Sequence, residues 1–292
     1  MRQFLIMGLE IHMETSFWIV DTFSDNVFRG NPAAVLFVDE LSDCALLQNI
    51  AMEINALETI FVKELYDGNF EALCFTPKIR GLYLGNGLFA AAKVINDRKP
   101  AVRRFNIICG IRIFLVNILD NGDVSIRFST VELEKVPIPT NLSAALNDEI
   151  VVSIAAGKDE LIVEMRSPSK LLNLSPNLDI LGGIAYDSFI LTTDTHYEVN
   201  ADYDFGVRVF APKLGIFRDM LTPIAATKLV AYWTGRMEKK ELVGFQPSSD
   251  KTSYVSARYG SEFTNLTCRC VISVYGHILL HAGGEHLETA VL

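Results

Sequence analysis

Glu58 sits beside Leu57, Ile60 and Phe61 in a run from Asn55 to Val62 that is mostly apolar. A carboxyl group in such surroundings loses solvation of its charged form, which lifts its pKa toward the range useful for proton transfer. The bland alternative is a solvent-facing strand glutamate. A second carboxyl, Asp219, stands ahead of an apolar helical stretch, where it could equally cap the helix. Held across a cleft, two such carboxyls can divide the work: one takes a proton while the other, kept protonated, gives one. Asn86, between Gly85 and Gly87, carries an amide that can donate to a carbonyl or enolate oxygen, or cap a helix. The two glycines serve backbone geometry first and anion contact second.

Other reactive residue types lack the spacing that chemistry needs. Of the five histidines, His277 and His281 are four apart in a stretch that alternates like a strand, with no acidic partner at metal-ligand spacing. The five cysteines (Cys44, Cys74, Cys109, Cys268 and Cys270) are odd in number and irregular, and Cys268-x-Cys270 is too tight for a zinc knuckle. Reduced thiols of a cytoplasmic protein are expected. Gly85-x-Gly87 lacks the third glycine of a dinucleotide fingerprint, and Ala156-Gly157-Lys158 lacks the loop of a nucleotide site.

The elements that must position these residues follow from periodicity and turn chemistry. Strands are expected over 17–23, 33–38, 57–64 and 70–76. Ser42 and Asp43 announce a helix carrying Leu46, Leu47, Ile50, Ala51 and Ile54. A Gly-rich loop then precedes an alanine-rich helix, Leu88 to Ile95. Residues 104–128 read as paired strands turning at Asn121-Gly122, and Pro137 and Pro139 mark a linker. The second half opens with strands near 150–156 and 161–166 and closes with strands 253–259, 266–275, 277–282 and 286–291. Many hairpin strands with few long helices predict an α+β fold. Trp18 and Trp233 are expected in the core.

The chain also repeats itself. One constant offset aligns Phe75 with Phe210, Pro77 with Pro212, Lys78 with Lys213, Ala90 with Ala225, Ala91 with Ala226 and Lys93 with Lys228. Two alanine-rich helices can match by chance, but not together with Phe-x-Pro-Lys at the same offset, so duplication is the reading. Each unit runs strand, Gly/Pro loop, apolar helix. A helix start presents unpaired N–H groups and partial positive charge, so two facing units would converge on a cleft for a small anionic substrate.

Composition is consistent with this. Of 292 residues, 50% are hydrophobic and 21% charged, which predicts a filled core. With 26 basic and 35 acidic residues and no basic run, nucleic acid is a poor partner. No window reaches the roughly 18 apolar residues that span a bilayer, and Glu10 and His12 interrupt the N-terminal apolar stretch. A soluble cytoplasmic protein without membrane attachment is expected, with residues 1–14 as an extension.

Several segments in register resemble the phenazine-biosynthesis (PhzF) family. Phe28-Arg29-Gly30-Asn31-Pro32-Ala33-Ala34-Val35 is similar to its F-x-G-N-P-A-A-V signature, and Asn55 to Val62 to its N-L-S-E-T-x-F-V segment. Phe75-Thr76-Pro77 precedes a Gly-rich loop as in the family, and Phe210-Ala211-Pro212, Gly215-Ile216 and Asp219-x-x-Thr222 resemble its second-half motif. The resemblance implies the diaminopimelate epimerase-like fold: two pseudo-symmetric halves, each a curved sheet around a central helix. The halves would run over 15–132 and 133–283, with a last strand near 284–292 returning to the first. It also implies an isomerase that moves a proton on a small carbonyl- or carboxylate-bearing metabolite in secondary-metabolite biosynthesis, using no cofactor and commonly acting as a homodimer.

By position, Glu58 matches the general base and Asp219 the second acid of the site. Asn31, Gly85, Asn86, Gly87 and Thr222 match substrate-holding loop positions, with Ile224 beside them. Leu84 replaces the catalytic thiol of the epimerases, which excludes a two-thiol racemase on that side. The family's C-G-H-A-T has its His at Asn86 here, and its T-G-S-A reads Thr222-Pro223-Ile224-Ala225. Pro223 removes a backbone donor and Ile224 a hydroxyl, which suits a greasier substrate. Such changes keep a cyclase or pericyclase, and a non-catalytic ligand-binding protein, as alternatives.

Overall fold

The computed structural model describes residues 2–4, 12–79, 85–147, 151–157, 159–195, 202–214, 221–246 and 253–281. The strands before residue 136 are β1 (Arg2–Phe4), β2 (His12–Thr22), β3 (Asn31–Phe37), β4 (Glu58–Glu64), β5 (Asn69–Phe75), β6 (Arg104–Cys109), β7 (Arg112–Ile118), β8 (Val124–Ser129) and β9 (Glu134–Lys135). Helices α1 (Cys44–Ile54) and α2 (Asn86–Arg98) interrupt them. The short helix α3 (Leu142–Ala145) leads to β10 (Val151–Ala156) and β11 (Glu160–Met165), then α4 (Pro168–Asn173) and α5 (Leu178–Gly182). Strands β12 (Ser188–Asp194) and β13 (Phe205–Phe210), helix α6 (Pro223–Met237), and strands β14 (Glu241–Gln246), β15 (Ser253–Arg258), β16 (Phe263–Cys268) and β17 (Cys270–His281) complete the chain.

The duplication read from sequence is a duplication of topology. From β2 to β8 the neighbours pair antiparallel, parallel, antiparallel, parallel, antiparallel and antiparallel. From β10 to β16 the same series recurs in the same order. α2 follows β5, and α6 follows β13. The aligned alanines Ala90, Ala91, Ala225 and Ala226 are all fully buried, because a helix wrapped by a curved sheet has no solvent face and little room for side chains. The six residues Gly87 to Ala92 are buried without exception. In place of one amphipathic stripe, both helices carry apolar residues on all sides.

Among the described residues two long seams run between the halves, beside a short antiparallel pairing of β9 with β10. β8 pairs antiparallel with β16 from Val124↔Cys268 to Ser129↔Phe263. β17 runs back beside β2 from Cys270↔Thr22 to His281↔His12. The expected strands 266–275 and 277–282 divide differently: the break falls at Arg269, and β17 runs through Gly276 with a bulge between Ile272 and Val274. The expected strand 286–291 and the return over 284–292 lie outside the described residues. Asp43 caps α1 as expected, accepting from Leu46 N–H. Trp233 is core, whereas Trp18 is only partly buried, with Tyr275 tilted against it and the Arg98 guanidinium over its ring.

Candidate active site

Glu58 opens β4, and parallel pairing sets it beside Ala33 of β3. Strand side chains alternate, and the register decides which set faces α2. Ile60 and Val62 fall in the core around α2, while Phe61 packs with Leu36 and Phe75 on the opposite face beneath α1. Glu58 therefore points inward and is 0% exposed. The solvent-facing alternative is excluded by the register.

A buried carboxylate needs donors. Gly87 N–H donates to Glu58 Oε2 at 2.8 Å. Gly87 lies in the first turn of α2, whose N-cap is Gly85. The sequence pointed to helix starts as holders of an anionic substrate, yet the first turn of α2 already holds a carboxylate, and it belongs to Glu58. Two influences act on that group in opposite directions. Burial disfavours its charge, and the N–H and positive end of α2 favour it.

Both flanking glycines are tightly surrounded, and Gly85 is the one whose conformation demands glycine. A Cβ at Gly87 would lie 3.2 Å from Glu58 Cδ and 3.1 Å from Ile60 Cβ. Gly85 has φ +96, and a Cβ there would lie 2.8 Å from Pro223 Cβ. That second contact shows the geometry expected of the repeat: the start of α2 touches the start of α6. Pro223 is the first residue of α6 and brings no N–H. Thr222 is the N-cap, and its Oγ1 accepts from Ala225 N–H while its carbonyl accepts from Ala226 N–H. Ile224 is half-buried in the same turn.

Asn31 spans the two halves. Its Nδ2 donates to the carbonyl of Leu221, one residue before the α6 cap. Leu221 N–H in turn donates to Gln246 Oε1 at the end of β14. A closed path results: Asn31 to Leu221, along the chain to Pro223, across to Gly85, on to Gly87, then to Glu58 and through β3 back to Asn31. Asn86 lies on this path, fully buried, and both its Nδ2 and Oδ1 lack a hydrogen-bond partner. The capping role considered for it is not the one it plays, since Gly85 is the N-cap. Asn31 Oδ1 is also buried and unpartnered.

Asp219 and Leu84 lie outside the described residues, so the expected pairing of Glu58 with Asp219 is not placed. Of the remaining candidates, Glu58, Asn31, Gly85, Asn86, Gly87, Thr222 and Ile224 are gathered along this one path. Sequence reasoning missed Gln246 and Cys74. Cys74 on β5 pairs with Ile60, one strand from Glu58. A hydrogen bond with the Cys109 thiol, burial, and the charge of Glu58 push the Cys74 thiol well above its ordinary value. It stays protonated beneath the carboxylate. Neither residue carries a local signal, because cross-strand register alone brings it there. Among the described residues no group of three or more His, Cys, Asp or Glu is placed to hold a metal ion. No helix of the described residues is long and apolar enough to cross a membrane.

Comparison with known proteins agrees with this architecture. The chain is 30% identical over 244 residues to an uncharacterized isomerase of Pseudomonas aeruginosa, covering 82% of this chain and 89% of that protein. Further curated relatives are also named uncharacterized isomerases. A PhzF-family crystal structure from Enterococcus faecalis superposes with a TM-score of 0.84 at 24% identity, covering 92% of this chain and all of that one. A hydroxyproline epimerase from Agrobacterium vitis, solved with trans-4-hydroxy-L-proline, shares the fold at a TM-score of 0.58 and 7% identity, covering 91% of this chain and 93% of its own. The fold is the epimerase-like one expected. A family model described as phenazine biosynthesis-like protein matches residues 20–252, and the chain belongs to that family, PhzC-PhzF.

Proposed function

We propose that this protein is a cofactor-independent isomerase that moves a proton on a small carbonyl- or carboxylate-bearing metabolite, in secondary-metabolite biosynthesis, with Glu58 as the base. One observation carries the reading. A fully buried glutamate is held by a helix-start N–H at the place where two pseudo-symmetric helices touch. An ionised carboxylate has about four lone-pair positions. Gly87 N–H engages one at Oε2 and fixes the orientation of the group. Glu58 then removes a proton from a carbon made acidic by an adjacent carbonyl, and Glu58 or Asp219 returns one elsewhere. Asn31, Asn86 and Thr222 hold the substrate, and Gly85, Gly87 and Ile224 shape its walls. The names of the relatives support the isomerase class. We also assign a cytoplasmic homodimer. Val274, Tyr275 and Leu279, exposed along β17, support the self-association, which sedimentation velocity tests.

The test compares metabolites of the native host carrying the wild-type, deleted or Glu58→Gln gene. The deletion is expected to accumulate an isomer of the normal product and Glu58→Gln to match it, and turnover of that isomer by the purified protein in D2O should place deuterium at carbon. Pro223 and Ile224 at the start of α6 favour a second reading, a cyclase that folds a more apolar substrate. A Glu58→Gln strain with the wild-type product, and no deuterium at carbon after turnover by the purified protein in D2O, would select the cyclase and remove Glu58 from the chemistry.

A further inference from the structure

The face of the sheet turned away from α2 and α6 carries a second cleft. Val116, Ile126, Leu266, Ala257 and Leu242 are successive cross-strand partners from β7 to β14, and all five face the core around the two helices. Side chains alternate along a strand, so their neighbours face outward. These outward residues line a cleft of about 870 Å³ that crosses the β8–β16 seam between the halves.

Pairing register sorts the outward residues into two rows. One runs Arg104, Asn117, Ser125, Thr267 and Ser256 across β6, β7, β8, β16 and β15. In its middle Thr267 Oγ1 donates to Ser125 Oγ at 3.0 Å. The other runs Arg127, Asn265, Arg258 and Glu241 across β8, β16, β15 and β14. Adjacent strands lie roughly 4.8 Å apart, so Arg127 and Arg258 stand about 10 Å apart at the backbone, with Asn265 between them.

Charge sets what this surface suits. The whole chain carries a net −9. The cleft instead holds four cations, Arg104, Arg127, Lys239 and Arg258, against Asp120 and Glu241. Asp120 pairs with Arg103 at 3.1 Å, and Lys239 with Asp204 at 2.6 Å. Glu241 lies 3.7 Å from Arg258 Nε, an exposed pair of little strength. Among the described residues Arg104 and Arg127 have no carboxylate partner, and the Arg127 guanidinium sits 5.5 Å from the centre of the Phe263 ring. Guanidinium forks, amide nitrogens and hydroxyls are donors, and the fork is the group that grips a phosphate through two parallel bonds. Linked phosphates can reach Arg127 and Arg258 at once.

We propose that this cleft binds a small polyanion with two or more linked phosphate groups, held between Arg127 and Arg258 over Asn265, with Arg104 at one end. The ligand ties β8 of the first half to β16 and β15 of the second and takes no part in the chemistry at Glu58.

Calorimetric titration of the full chain with tripolyphosphate and with inorganic phosphate, in the absence of divalent cations, tests this. Tripolyphosphate is expected to bind wild type roughly tenfold or more tighter than inorganic phosphate, because it engages more than one fork. Arg127→Ala and Arg258→Ala should each weaken it roughly tenfold, the worth of one charge-assisted hydrogen bond. Glu241→Gln removes the carboxylate that competes for Arg258 and should tighten binding. Lys63→Ala, which deletes a cation paired with Glu40 elsewhere on the surface, should leave it unchanged. No binding by wild type, equal affinity for the two anions, or binding that persists in the Arg127→Ala/Arg258→Ala double variant overturns the proposal. So does an equal loss in Lys63→Ala, or no gain in Glu241→Gln.

Discussion

At the scale of single residues, Glu58 and Gly87 act as one unit. The carboxylate is buried, and its partner N–H belongs to a residue whose Cβ, if present, would lie 3.2 Å from Glu58 Cδ. Gly87→Ala is therefore expected to separate activity from stability. Alanine gains about 1 kcal/mol of helix propensity over glycine, which offsets the tight contacts its methyl makes. The same methyl presses on the Glu58 carboxyl. We expect the urea midpoint to stay close to wild type while kcat falls tenfold or more. A variant that keeps full kcat would show that the orientation of Glu58 is unimportant. Glu58→Gln keeps the shape and an acceptor for Gly87 N–H but cannot take a proton, so kcat is expected to fall by roughly 10²–10⁴ with little change in stability.

At the scale of elements, the starts of α2 and α6 are unequal. α2 opens on Gly85 in a left-handed conformation with no side-chain cap, and Glu58 supplies the missing acceptor from another element. α6 opens conventionally, with Thr222 as cap and proline at the first position. Thr222→Ala should cost about 1 kcal/mol in urea unfolding. A kcat/KM loss larger than that energy accounts for would show Thr222 also touching the substrate, whereas a loss in stability alone would leave it a cap. Gly85→Ala meets both a positive φ and Pro223. It should destabilise by more than the ~1 kcal/mol of the backbone conformation alone, and Pro223→Ala should recover part of the difference.

At the scale of the molecule, the halves are bound by the β8–β16 pairing, the β17–β2 pairing and the Asn31 to Leu221 to Gln246 clamp. Such seams predict one cooperative transition despite the duplicated plan. The two tryptophans report it, Trp18 in the first half and Trp233 in the second. In Trp18→Phe and in Trp233→Phe, fluorescence of the remaining tryptophan should share its urea midpoint with far-UV circular dichroism. Separate midpoints would show halves that unfold independently. Asn31→Ala and Gln246→Ala remove partners of the same residue, Leu221, so their effects should be non-additive by about 0.5–3 kcal/mol in a double-mutant cycle.

Local chemistry determined much of this protein. The Asp43 cap, the two central helices with their buried alanines, the repeat and the neighbourhoods of Glu58 and Asn86 could all be read from residue order, because caps and periodicity act over a few positions. Register and closure could not. Whether Glu58 faced water or α2 hung on which strand paired with β4 and in what phase, and a one-residue slip would have reversed it. That Glu58 itself occupies the start of α2, that Gly85 meets Pro223 and that Gln246 and Cys74 belong near the site are contacts between residues far apart in the chain. They exist only once the sheets have curled around their helices, so no local pattern in the sequence encodes them.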